Sequence, residues 1–308
     1  MSPIYQLIII GGGPAGLTAA IYAGRSQIKT LLISNQLGGA INWAHKIQNF
    51  PGHTEISGKD LAERMITQVK KWGSEILINQ VVGVKKEKNL FEIQTKDNQI
   101  YRAEKLLLAF GTKKRKLNIP NEENFIGRGL SYCALCDGQF FKNKSVAVCG
   151  SGDAAVTTAI YLSNLAEKVY LVVRKADLKC TPSWHQAAQK KKNITIICQY
   201  QIDALIGQEK LTGIRLKNMN QETKELSVQG LFVEVGSVPA SLLVKQIGIT
   251  LDQEEFIVID KEGQTNQPNI WAAGDVTTGS DKLCQIITAS AEGAIAANSI
   301  YREIQQKD

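Results

Sequence analysis

The chain of 308 residues is 44% hydrophobic and carries a formal charge of +7, from 36 Lys and Arg against 29 Asp and Glu; that length suits two domains of roughly 100 to 200 residues each. No apolar run of about 18 residues occurs, which excludes a helical membrane span, and the basic residues lie in short scattered groups ("VKK", "KKRK", "KKKN") without the interleaved aromatics of a nucleic-acid surface. The opening "MSPIYQLIIIGGG" lacks the basic region and cleavage site of a secretory signal, so a cytoplasmic protein is expected.

The first element is the apolar run Leu7 to Ile10, the pattern of a strand buried on both faces. It breaks at Gly11-x-Gly13-x-x-Gly16, continues as an alanine-rich helix to about Gly24, and is followed by a second apolar strand at Lys29 to Ser34. In that context the three glycines form a dinucleotide fingerprint. Gly11 permits the tight turn, Gly13 lets the backbone approach a pyrophosphate, and Gly16 lets helix and strand pack closely. The helix start offers unpaired N–H groups and a partial positive charge to the phosphates. Ser34 and Asn35 stand where an acidic ribose ligand is usual; their side chains can still hydrogen-bond a ribose, without a carboxylate's strength.

A crossing segment follows at Ala109 to Pro120, and a second at Val233 to Leu243, each running from an apolar strand into Gly, Pro and small residues. They put domain junctions near Lys114 and Val244. Between them comes "SYCALCDG", Ser131 to Gly138, with Cys133 and Cys136 two residues apart and Asp137 directly after. Three readings compete: half of a metal site, a structural staple, or a redox couple. A structural zinc site needs four ligands, and no second Cys-x-x-Cys or histidine pair exists, since His45, His53 and His185 are isolated. Static disulfides are rare in cytosolic chains. Cys149, Cys180, Cys198 and Cys284 are solitary and read as small buried hydrophobes.

The dinucleotide pattern then recurs: a strand at Ser145 to Cys149, the turn Gly150-x-Gly152-x-x-Ala155, an amphipathic helix, and a strand at Val169 to Val173. Alanine is an accepted small residue at the third position. Arg174, Lys175 and Lys179 follow, where a cluster of cations suits the 2′-phosphate of NADP. Near the carboxyl end "NIWAAGDVTTG" reads as a strand ending in Gly274 and Asp275, before a helix from about Gln285 to Tyr301. The expected fold is α/β: two Rossmann-like nucleotide-binding domains, the second inserted into the first. The first domain comprises 1–113 and 245–308, and the second is 114–244.

The strings "GGGPAGLTAAIYAGR", "NFPG", "CALCDG", "GSGDAAVTTAIYL" and "AAGDV" resemble, in order and spacing, the low-molecular-weight thioredoxin reductases, from about Gln6 to Arg302. The resemblance implies that Gly11, Gly13 and Gly16 hold the pyrophosphate of FAD, with Gly38, Gly39, Asn49, Asp275 and Gln285 around the rest of the flavin. Gly150, Gly152, Ala155, Arg174, Lys175 and Lys179 would hold NADPH. Cys136 would meet the flavin, Cys133 would attack the disulfide of thioredoxin or a similar small dithiol protein, and Asp137 would act as general acid and base. A homodimer is implied as well. The chemistry is coherent, because a Cys-x-x-Cys turn can close to a disulfide or open to a dithiol, and a carboxylate beside it opposes thiolate formation and suits a proton carrier better than an activator.

The chain also departs from the family. Val173, Arg174, Lys175 and Lys179 replace its His-Arg-Arg string and further Arg, Cys284-Gln285-Ile286 replaces Arg-Gln-Ala, and Ala40 replaces a Gln after the paired glycines. The expected activity is transfer of electrons from NADPH through FAD to the cysteine pair and on to a protein disulfide. The alternatives are a related flavoprotein fed by ferredoxin or another donor, and a sensor that signals without turnover.

Overall fold

The computed structural model describes residues 3–44, 47–239, 242–245 and 247–306. The chain forms two compact units, Met1–Lys113 with Val238–Asp308, and Lys114–Ser237.

The first unit opens with β1 (Ile4–Gly12), α1 (Pro14–Arg25), β2 (Thr30–Leu37), α2 (Gly58–Lys71) and β3 (Glu75–Ile78), followed by β4 (Val81–Glu87), β5 (Leu90–Thr95) and β6 (Ile100–Leu108). The run Leu7–Ile10 is fully or almost fully buried, as the absence of polar alternation requires. β1 lies between β2 and β6, parallel to both, and β3 continues the sheet beyond β2. β5 and β4 close the other side as an antiparallel pair along β6. β2 runs to Leu37, beyond the expected Ser34, because the ladder resumes with Gly12 opposite Leu37 after a shift in register.

The chain passes into the second unit through β7 (Thr112–Lys114), and continues with α3 (Glu122–Phe125), β8 (Leu130–Ser131) and α4 (Ala134–Asp137). β9 (Ser145–Cys149), α5 (Asp153–Ser163), β10 (Lys168–Val173), α6 (Pro182–Gln189) and β11 (Ile194–Cys198) follow. β12 (Tyr200–Gly207), β13 (Leu211–Asn218) and β14 (Thr223–Ser227) form an antiparallel three-stranded sheet. β15 (Gly230–Val233) completes a parallel five-stranded sheet in the order β11-β10-β9-β15-β8. This is the expected second βαβ unit, with its own core of Val146, Val148, Ala155, Leu162, Leu171 and Phe232.

The chain returns through β16 (Ser237–Pro239) and α7 (Leu242–Lys245), then adds β17 (Ile270–Ala272) along β6 and ends in α8 (Ile286–Gln305). Val244, near which the second junction was expected, is fully buried beside Ile249 and Ile257 in the core of the first unit, so the apolar run it ends belongs to that unit. α8 lies against α1, where Gly293 leaves room for the carbonyl of Ala15. It is tied to the sheet by Lys105, whose buried ammonium bonds Glu303 at 2.7 Å and Asn269 at 3.1 Å, and by the Trp271 indole N–H on Ser299 at 3.1 Å. The fold is therefore α/β, with one Rossmann-like unit inserted into another.

Candidate active site

Both fingerprints fold into the same local shape. Gly11 has φ +117°, and a Cβ there would collide with the carbonyl of Ala109; Gly150 has φ +148°, and its Cβ would collide with the carbonyl of Glu234. Only glycine fits either turn. Gly13 and Gly152 are the N-caps of α1 and α5, both in extended backbone. A Cβ at Gly13 would meet nothing within 4 Å, and one at Gly152 only the Lys179 carbonyl at 4.0 Å. These open backbone faces are cradles that a pyrophosphate can approach. Gly16 packs so close to the Gly11 carbonyl that no side chain fits, and Ala155 is fully buried in the equivalent place.

In the first unit a second glycine turn joins this cradle. Gly38 and Gly39 have φ +85° and +55°, Gly38 N–H donates to the Gly12 carbonyl at 2.7 Å, and Gly39 faces the Cα of Gly13. Ser34 does not offer its hydroxyl to a ribose: it is buried and donates to the Gln36 carbonyl at 2.8 Å, whereas Asn35 is exposed. Asn49 donates to the Gln285 side chain at 2.9 Å, joining residues 236 positions apart. Gln285 caps α8 through reciprocal bonds with Thr288.

Asp275 lies in a shallow cleft with Thr277, Lys282, Cys284, Thr288 and Glu292. Burial, reinforced by the Glu292 carboxylate, pushes Asp275 up to about 6. Glu292 accepts from Gly274 N–H and from the Thr277 hydroxyl, both at 2.8 Å, and so pins the turn that presents Asp275. Cys284 is exposed as a residue, yet burial of its sulfur and the carboxylates of Asp275 and Glu292 push the thiol up to about 11. It is a neutral thiol in this cleft and not the buried hydrophobe that the sequence suggested. Of the other three solitary cysteines, Cys149 is buried, and Cys180 and Cys198 are half-buried.

In the second unit Arg174, Lys175 and Lys179 follow β10 and are exposed. Lys179 is drawn to the Gly152 turn by its backbone N–H on Ser151 at 2.7 Å, and its side chain meets that of Lys175. The nearby Lys179 ammonium, then Arg174, opposes a further positive charge and holds Lys175 below the ordinary lysine range. Three exposed cations near the Gly152 turn form a positive focus that suits an anion.

Cys133 and Cys136 form a disulfide with Cα atoms 5.3 Å apart. Cys133 is half-buried at the N-cap of α4, and Cys136 is exposed. The N–H of Cys136 points to the Cys133 sulfur at 3.2 Å, and the N–H of Asp137 donates to the Cys133 carbonyl at 3.1 Å. Buried Ser131 donates to the Asp137 carboxylate at 2.6 Å and accepts from the Cys133 N–H at 3.0 Å. Glu122, buried on α3, accepts from the Leu117 and Asn118 N–H groups and from the hydroxyl of Tyr132, the residue before Cys133. Burial and this carboxylate raise the Tyr132 phenol far above its usual range.

No sequence signal singled out Ser131, Glu122 or Glu292. Ser131 lies inside the cysteine motif, but its contact depends on the turn of α4. His53 stacks near Phe50 and His185 lies beside Gln189, while His45 falls outside the described residues.

Two open glycine turns and a bonded Cys-x-x-Cys pair are parts that a disulfide oxidoreductase needs. The profile of the pyridine nucleotide-disulphide oxidoreductases matches residues 5–293. Similar relatives include the thioredoxin reductase of Listeria innocua, 37% identical over 98% of this chain and 95% of that protein. The thioredoxin reductase of Treponema pallidum is 37% identical over 97% of each chain. Among solved structures, the Lactococcus lactis thioredoxin reductase in its FR conformation aligns with a TM-score of 0.94 and 35% identity, over 98% of this chain and 99% of that one. The chain belongs to the thioredoxin reductase family of pyridine nucleotide-disulphide oxidoreductases.

Proposed function

We propose that the protein is an FAD-containing reductase that draws electrons from NADPH and delivers them through Cys133 and Cys136 to thioredoxin or a similar small dithiol protein. The observation that carries the reading is the coexistence of two open glycine cradles with a cysteine pair bonded beside a held carboxylate. FAD, when bound, accepts a hydride from the nicotinamide and passes two electrons to the disulfide.

In the first unit Gly11, Gly13 and Gly16, with Gly38 and Gly39, form a pyrophosphate cradle that suits FAD, and Asn49, Gln285 and Asp275 offer polar groups to the rest of the molecule. In the second, Gly150, Gly152 and Ala155 would bind NADPH, with Arg174, Lys175 and Lys179 on its 2′-phosphate. Cys136 would receive electrons, Cys133 would exchange with the partner disulfide, and Asp137 would supply and take back the thiol proton. One disulfide of the partner becomes two thiols as NADPH becomes NADP⁺ and one solvent proton is consumed. The family resemblance also supports a cytoplasmic homodimer.

A donor other than NADPH, such as ferredoxin, is favoured by one observation: Cys284 puts a neutral thiol where the family has Arg. Anaerobic titration separates the readings. NADPH should bleach the flavin at far lower concentration than NADH, and Lys175→Gln with Lys179→Gln should erase most of that preference. Intact flavin that NADPH leaves oxidised, while reduced ferredoxin bleaches it, would overturn the donor assignment.

A further inference from the structure

Ser131 is buried, and its hydroxyl has three neighbours: the Asp137 carboxylate at 2.6 Å, the Cys133 N–H at 3.0 Å and the Cys133 carbonyl at 3.3 Å. A hydroxyl has one proton to give and two lone pairs to accept with. With Asp137 ionised, Ser131 donates to the carboxylate and accepts from the Cys133 N–H. With Asp137 protonated, the acid donates to Ser131, whose own proton swings to the Cys133 carbonyl, and the N–H bond is kept. Both protonation states are satisfied without displacement of a heavy atom. The contact at 2.6 Å also has the length of a charge-assisted bond.

We propose that Ser131 is a positioning residue for Asp137, a hydroxyl rotor that holds the carboxyl against the redox turn whichever way the proton has gone. The proposal rests on the reading of Asp137 as proton carrier. In the step concerned, an external dithiol gives two electrons to the Cys133–Cys136 bond. That bond breaks, the reductant closes to a disulfide, and its two protons pass to the cysteine sulfurs, one of them by way of Asp137. Of the neighbouring titratable groups, Tyr132 bonds Glu122, and the ring of Tyr161 on α5 lies against Gly138. Among the described residues no cation is paired with Asp137, so Ser131 is its side-chain partner.

The test follows reduction of the Cys133–Cys136 disulfide in the flavin-loaded chain by dithiothreitol, quenched by alkylation, across a range of pH. It requires neither NADPH nor thioredoxin, so a wrong donor or partner leaves it intact. Asp137→Asn identifies the inflection that Asp137 contributes. Ser131→Ala should slow reduction about 10-fold, because the carboxyl loses the hydroxyl that holds it against the turn. Ser131→Thr should restore the rate, and Ser131→Ala should add nothing to Asp137→Asn. A Ser131→Ala variant reduced as fast as the parent, or a full further loss in the Asp137→Asn background, would overturn the proposal. An Asp137→Asn profile that superimposes on the parent's would remove the proton-carrier reading itself, and the proposal with it.

Discussion

Asp275→Asn measures how strongly the cleft of the first unit opposes a charge. Burial, then Glu292, lifts Asp275 from 3.8 to about 6, a difference worth about 3 kcal/mol. Between those values the folded protein keeps a proton that the unfolded chain has released. Stability from this group is therefore complete below about pH 4 and is lost as pH rises through about 6. Asparagine has nearly the same shape and no charge to desolvate. In flavin-free protein, urea unfolding from about pH 4 to about pH 7 should show the variant gaining roughly 2 kcal/mol on the parent, because titrations remote from Asp275 cancel in the difference. A gap between the two midpoints that stays constant over that range would refute the reasoning.

Gly16→Ala drives a methyl group into the Gly11 carbonyl, so the cradle must open; the purified variant should retain little flavin per chain, and full retention would show that the turn is not the pyrophosphate site. Glu122→Ala leaves two backbone N–H groups and the Tyr132 hydroxyl without their acceptor. It should cost about 3 kcal/mol in denaturant unfolding, against about 1 kcal/mol for Tyr132→Phe, which removes a single bond.

Much of the architecture is written locally. The glycine spacing, the apolar strands beside it and the cations after Val173 are patterns within thirty residues, and each appears where its spacing implied. The features that need the folded chain were hidden. Nothing near Asn49 announces Gln285, because the strands that bring them together are ordered by packing. Ser34 looked free to meet a ribose, yet the turn after β2 supplies a nearer acceptor at Gln36. Val244 follows a crossing segment and reads as its end, but its burial with Ile249 and Ile257 is a tertiary fact. The Ser131 rotor was invisible for a related reason: in a string of eight residues, only the turn of α4 decides that the serine and the aspartate face each other.

The division of the first unit between the two ends of the chain has a consequence for biosynthesis. β1 and α1 emerge from the ribosome early, but the surface of α1 that receives Gly293, and the buried ammonium of Lys105, wait for a helix translated after the whole inserted unit. The inserted unit can complete its own parallel sheet while its host is still open. A nascent chain therefore carries the cysteine turn before the helix that packs against α1 has been made.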